Sequence, residues 1–260
     1  MVWVPELKVS RQTDGGDTIT VELRFGCAPE LVNSSPYEQA AGLFMACASR
    51  GAFCQASEAP RVWKLVQGVS AHWSGPSLTL LLRIEHFDAR GLQVLRNLLV
   101  GAAEPENRID GIVVKVPMEL RGYRRDEQAM PMLDEDNEDD EYPALSERLG
   151  FDCVDEEVDD TWVRRCVIEY AAPVSPEEVE RLEHWVEPWF NLLEMGGYAL
   201  PIGLPENVQS APGGVNQFDE FSIEISLMKF HASEMAWHAL ANMLSARCVV
   251  GTTIIRLVFD

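Results

Sequence analysis

Two stretches of this chain carry the same series of patterns, and an internal repeat restricts a fold more tightly than any single propensity. Ser35-Pro36-Tyr37-Glu38 and Ser175-Pro176-Glu177-Glu178 lie 140 residues apart. Each has the chemistry of a helix start: Ser as N-cap, Pro at the first helical position, and Glu three residues after the cap to return a hydrogen bond. An alternating run precedes each of them, Ile19 to Phe25 and Arg164 to Tyr170, where a period of two marks a half-buried strand. Leu78 to Ile84 and Phe221 to Leu227 alternate again, and both lead into helical stretches. There Leu92 to Leu99 aligns with Trp237 to Leu244 at an offset of 145, with large apolar residues at spacings of three and four. Each half closes on a β-branched run, Ile112 to Val116 and Ile254 to Val258.

Val62 to Val66 and a weaker Tyr198 to Ile202 supply one further strand in each half. The order is then strand, helix, strand, strand, helix, strand, twice. It resembles the ferredoxin-like split βαβ fold, an antiparallel sheet with both helices on one face. The expected class is therefore α+β, an internal duplication of two ferredoxin-like repeats joined by an acidic linker. The expected boundaries are 1–120 for the first repeat, 121–160 for the linker and 161–260 for the second repeat. Pro188 predicts an end or a kink near Glu187, and Gly213-Gly214 reads as a turn.

Charge is distributed unevenly between these parts. The chain has 21 Lys plus Arg against 42 Asp plus Glu, a formal net charge of −21. Its densest acidic run, Asp134, Glu135, Asp136, Asn137, Glu138, Asp139, Asp140 and Glu141, falls in the linker. Like charges repel and the run has no apolar face to bury, so a solvated, partly disordered connection is expected. The same acids are the candidate surface for a basic protein partner, with association accelerated by opposite potentials and weakened by salt. An EF-hand reading fails, because Asp139 stands where the loop needs Gly and Leu145 where it needs a bidentate Glu. A surface this negative also disfavours generic binding to nucleic acids or anionic membranes.

No constellation identifies a reaction. The five histidines, His72, His86, His184, His231 and His238, form no zinc-spaced pair with each other or with Cys. Gly68-x-Ser70-x-His72 lacks the last Gly of a nucleophile elbow and reads as a hairpin. Ser226 and Lys229 match a hydrolase spelling, but residues three apart in a strand point to opposite faces. Six cysteines without a Cys-x-x-Cys pair read as reduced thiols, and no cationic, apolar leader is visible at the start. Both features fit a cytoplasmic protein with no cofactor and no metal. Trp185 and Trp189, four apart on one helix, read as core.

The helix-free sheet faces should carry Thr20, Glu22, Arg24, Arg83 and Lys115 in the first half, and Arg165, Glu169, Glu224, Ile254 and Arg256 in the second. Balanced charges of this kind usually pair across strands. The expected function is that of a non-enzymatic acidic protein binding a basic protein, in an immunity-like, inhibitor-like or nucleic-acid-mimic role. The alternative is an enzyme or small-molecule binder with a cleft between the repeats, for which Arg24, Arg83 and His231 are the candidate polar participants.

Overall fold

The computed structural model describes residues 5–12, 18–27, 29–53, 67–83, 89–103, 108–117, 149–155, 163–199, 211–228, 232, 235–248 and 253–260. Among these, two five-stranded sheets and four α-helices make a mixed α+β structure. The first half runs β1 (Glu6–Arg11), β2 (Ile19–Phe25), α1 (Ser35–Ala48), β3 (Gln67–Ser74), β4 (Ser77–Arg83), α2 (Ala89–Gly101) and β5 (Ile109–Val116). The second runs β6 (Asp152–Asp155), β7 (Val163–Tyr170), α3 (Pro176–Glu194), β8 (Ala211–Gln217), β9 (Ser222–Met228), α4 (Met235–Cys248) and β10 (Ile254–Phe259). The sheets are ordered β1-β5-β2-β4-β3 and β6-β10-β7-β9-β8, the same arrangement twice.

Strand alternation sets the inner faces. Ile19, Val21, Leu23 and Phe25 of β2 and Leu78, Leu80 and Leu82 of β4 are buried in register with one another. Cys166, Ile168 and Tyr170 of β7 do the same against Ile223, Ile225 and Leu227 of β9. Each aliphatic side chain so buried contributes about 1.5–3 kcal/mol relative to exposure. Ile254, expected on the outer face, is buried instead. A register shift between Ile254 and Arg256 turns it inward, and Ile255 is left exposed.

The outermost strands β1 and β6 escape the sequence pattern. Each lies parallel to the closing strand of its half, β1 on β5 and β6 on β10. In Glu6–Arg11 charged residues flank Leu7 and Val9, and in Asp152–Asp155 two acids flank Cys153-Val154, so neither reads as a strand unaided. β6 falls inside the span assigned to the acidic linker, and Leu149 and Phe151 just before it are buried in the core. Residues 62–66 lie outside the described residues, and the strand of that region is β3. In the second half the corresponding strand is β8 rather than Tyr198 to Ile202. Gly213 and Gly214 form its bulge and not a turn. A Cβ on Gly213 would stand 2.5 Å from Ser226 Oγ, and Gly214 has φ +122°, so glycine lets this edge strand approach β9.

The two helix starts differ. Ser175 caps α3 as expected, accepting from the Glu178 N–H at 3.3 Å. At α1 the cap position belongs to Ser34, whose backbone is already helical and whose hydroxyl donates to Glu38 Oε1 at 2.8 Å. Asn33 Oδ1 accepts the Ser35 N–H at 3.1 Å instead, so the Ser35 capping box is not formed. Pro188 neither ends nor divides α3, which continues to Glu194. Leu182, Val186, Trp189, Leu192 and Leu193 are buried on both sides of the proline, and their packing offsets the hydrogen bond it removes.

The helices of the two halves meet. Asn97 of α2 donates through Nδ2 to the carbonyls of Gly197 (2.9 Å) and Ala199 (3.2 Å), in the turn after α3. Asn242 of α4 donates through Nδ2 to the carbonyl of Ala52 (3.2 Å), in the turn after α1. The two donors stand 145 residues apart, as do the acceptors Ala52 and Gly197. Such reciprocal contacts are the signature of a self-complementary interface. The Arg50 guanidinium lies 5.5 Å from the ring centre of Trp185 across the same joint.

Candidate functional site

Outside the joint, the most uneven distribution of charge among the described residues lies along α3. Its apolar stripe faces the core, which leaves Glu177, Glu180, Glu183, Glu187 and Glu194 exposed at helical spacings. At 1.5 Å per residue they span about 26 Å. Arg181 and His184 are the basic groups of this face, near Glu178 (3.8 Å) and Glu187 (4.0 Å) respectively. The Glu177 backbone N–H and the Ser175 hydroxyl hold the Glu177 carboxyl below its ordinary value, so it is fully charged at neutral pH. The outcome is an acidic rail on one side of the second half.

Glu178 on the same helix points inward. Its Oε1 lies 2.7 Å from Nη1 of Arg247, near the end of α4, and both side chains are over nine-tenths buried. Beside this pair the Tyr170 hydroxyl is pushed well above its ordinary value by burial, with Arg247 pulling the other way. The corresponding end of the first half is aromatic, with Phe25 against Tyr37 (ring centres 5.4 Å apart) and against Trp73 (5.9 Å). Sequence reasoning assigned Glu178 to the cap and gave Arg247 no role. The only available signal was a lone cation closing an otherwise apolar helix.

The helix-free sheet faces are laddered with ion pairs. Lys115 donates to Glu22, and Arg24 lies 3.9 Å from the same carboxylate. Arg165 makes a two-pronged contact with Asp260 at 3.0 and 2.9 Å, and Arg256 lies 3.6 Å from Glu169. Such exposed pairs contribute about 0–1 kcal/mol each.

Of the cleft candidates, Arg24 and Arg83 are both exposed on the first sheet. Arg24, on β2, stands opposite Ser77 at the start of β4, whereas Arg83 closes β4 opposite Gln67, so the two are at opposite ends of the sheet. The structure brings neither to the joint between the halves, and it does not bring them together. His231 lies outside the described residues, as do Asp134, Glu135, Asp136, Glu138, Asp139, Asp140 and Glu141. Five described cysteines are free thiols. Among the described residues no three His, Cys, Asp or Glu side chains are grouped to hold a metal, and no helix is long and apolar enough to cross a membrane.

Comparison with known proteins adds little. No protein-family model and no curated protein matches the chain. Among solved structures, the chain is similar to the ferredoxin protease FusC in complex with Arabidopsis ferredoxin, at 9% identity and a TM-score of 0.24. The match covers 96% of this chain, which spans 41% of that one. A Cas6 product complex matches at 14% identity and a TM-score of 0.18, covering 91% of this chain and 93% of that one. Scores this low bear on neither fold nor function.

Proposed function

We propose that this protein is a non-enzymatic, acidic interaction module of two ferredoxin-like repeats, which binds a basic protein partner in the cytoplasm. The inner four strands of each sheet stand in the order fourth, first, third, second of their half, the order of a split βαβ unit, with β1 or β6 added outside. Duplication accounts for this order appearing twice and for the asparagines placed 145 residues apart.

The observation that carries the binding reading is the α3 rail, where five exposed glutamates face solvent with a single arginine among them. It gives the second half a negative potential that would steer a cationic protein to it, and the acids of 134–141 are the other candidate surface for such a partner. An immunity-like or inhibitor-like role fits that chemistry, as does mimicry of a nucleic-acid surface. The cleft alternative draws less support, since Arg24 and Arg83 sit away from the joint.

The test is capture from lysate of the source cells at low and moderate salt. The wild-type chain is compared with one in which Glu177, Glu180, Glu183 and Glu187 are glutamine, and with one in which the acids of 134–141 are neutralised. A basic protein held by wild type and released by salt or by either variant is the expected result. If wild type and variants capture the same proteins at both salt levels, electrostatic recognition is refuted.

A further inference from the structure

The hairpin that joins β8 to β9 departs from its counterpart in the first half. There Ser74 stands opposite Ser77, so Gly75 and Pro76 alone make the turn between β3 and β4. The neighbouring Trp73 packs against Phe25, with 5.9 Å between ring centres. In the second half Gln217 stands opposite Ile223, and the turn between them is Phe218-Asp219-Glu220-Phe221-Ser222. Phe218 is 57% exposed and Phe221 45%, whereas every other described phenylalanine is buried.

The backbone that carries these two rings is tied down from within and from outside. Within the turn, the Phe218 N–H donates to the Ser222 carbonyl (3.0 Å), the Phe221 N–H to Asp219 Oδ1 (2.7 Å), and Gln217 Nε2 to the Asp219 carbonyl (3.0 Å). From outside, the Tyr170 N–H donates to the Phe221 carbonyl and the Val174 N–H to the Glu220 carbonyl, both at 2.8 Å, which fastens the turn to the segment leading into α3. Rings held in this way offer apolar surface without the ordering cost that a loose loop meets on binding. Aromatic residues and arginine are the side chains enriched where proteins meet. The charge around the rings has one sign: Asp219 and Glu220 lie in the turn, Glu177 follows Val174 by three residues at the foot of the α3 rail, and no Lys, Arg or His occurs in 171–180 or 217–222.

We propose that this turn anchors the partner: Phe218 and Phe221 receive an arginine-bearing segment of a basic protein, guanidinium against ring, while Asp219, Glu220 and Glu177 balance its charge. The proposal rests on the acidic-module reading above and adds to it a contact that depends on more than net charge. A planar guanidinium stacks on an aromatic face, whereas an ammonium is a compact, strongly hydrated point charge, so the turn distinguishes arginine from lysine.

Fluorescence anisotropy of labelled oligo-arginine and oligo-lysine peptides of equal length, titrated with the full chain at low and moderate salt, tests it. The wild type is compared with the double variant Phe218→Ser, Phe221→Ser and with Phe218→Leu, Phe221→Leu, which keeps the apolar bulk and removes the rings. Both variants should bind oligo-arginine about five- to thirtyfold more weakly than the wild type, as for the loss of two exposed cation–π contacts. They should bind oligo-lysine nearly as the wild type does and keep its Tm, because the rings stand in solvent. Variants that bind oligo-arginine like the wild type, or that lose both peptides alike, overturn the proposal and leave the acidic reading standing. A wild type that binds neither peptide even at low salt refutes the acidic reading, and the proposal with it. Wild-type dimers in analytical ultracentrifugation that the serine variant dissolves would give the turn to a second copy of the chain and likewise overturn the proposal.

Discussion

Replacing Arg247 with Met removes one member of the buried pair and leaves the Glu178 carboxylate with its counter-charge gone. Both side chains are nearly out of contact with water, at 8% and 5% exposure, and the oxygen and nitrogen are 2.7 Å apart. Breaking such a pair from one side costs about 3–5 kcal/mol, most of it the penalty of an uncompensated buried charge. Arg181 is a poor substitute, since it lies 3.8 Å from the other carboxylate oxygen and is largely in solvent. At about 2–4 °C per kcal/mol for a chain of this size, Tm should fall by roughly 6–20 °C, read by circular dichroism. Adding Glu178→Gln should recover much of that loss, because the stranded charge is then gone. A Tm within about 2 °C of wild type, or a double variant no better than the single one, would falsify this account of the pair.

Three further outcomes follow from packing and burial. Burial raises the Cys47 and Cys166 thiols above their ordinary value of 9.0 and the Tyr170 and Tyr198 hydroxyls above 10.0. The native state keeps protons that the unfolded chain releases, so the urea midpoint should hold below about pH 9 and fall above it; a midpoint that rises there contradicts the sign. Mass-spectrometric alkylation of the native protein should modify the half-buried Cys27 and Cys153 and spare Cys47 and Cys166, and equal labelling of all four would contradict their burial. A Cβ on Gly197 would lie 3.0–3.3 Å from Leu192 and Val94, so Gly197→Ala should cost about 1–3 kcal/mol in chemical denaturation, and an unchanged midpoint would show that the joint yields freely.

Alternation carried most of the fold into the sequence, because β2, β4, β7 and β9 each have one dry face and announce it residue by residue. β1 and β6 were not legible for the opposite reason. They are outer strands whose place is set by pairing with β5 and β10, and a strand held mainly through its backbone leaves little mark on its side chains. Pro188 does not end α3, because the packing on either side of it, a tertiary property, outweighs its local cost. Asn97 and Asn242 were visible as aligned residues, yet an aligned asparagine in an apolar stripe reads as a lapse in the pattern until its acceptor is known. Charge alone points to Arg24 and Arg83, and strand parity places them on the outer sheet face while register separates them.

The reciprocity of the joint also bears on how the chain is made. Synthesis delivers the first half complete at residue 117, while the turn that receives Asn97 is not reached until Gly197. At about 5–20 residues per second, that wait is on the order of ten seconds. For that time the nascent first half presents an uncovered apolar helix face with an unpaired amide at its centre. A face that takes part in a reciprocal contact can also accept the same face of a neighbour on the same message, so the protein is at greatest risk of pairing wrongly before its second sheet exists.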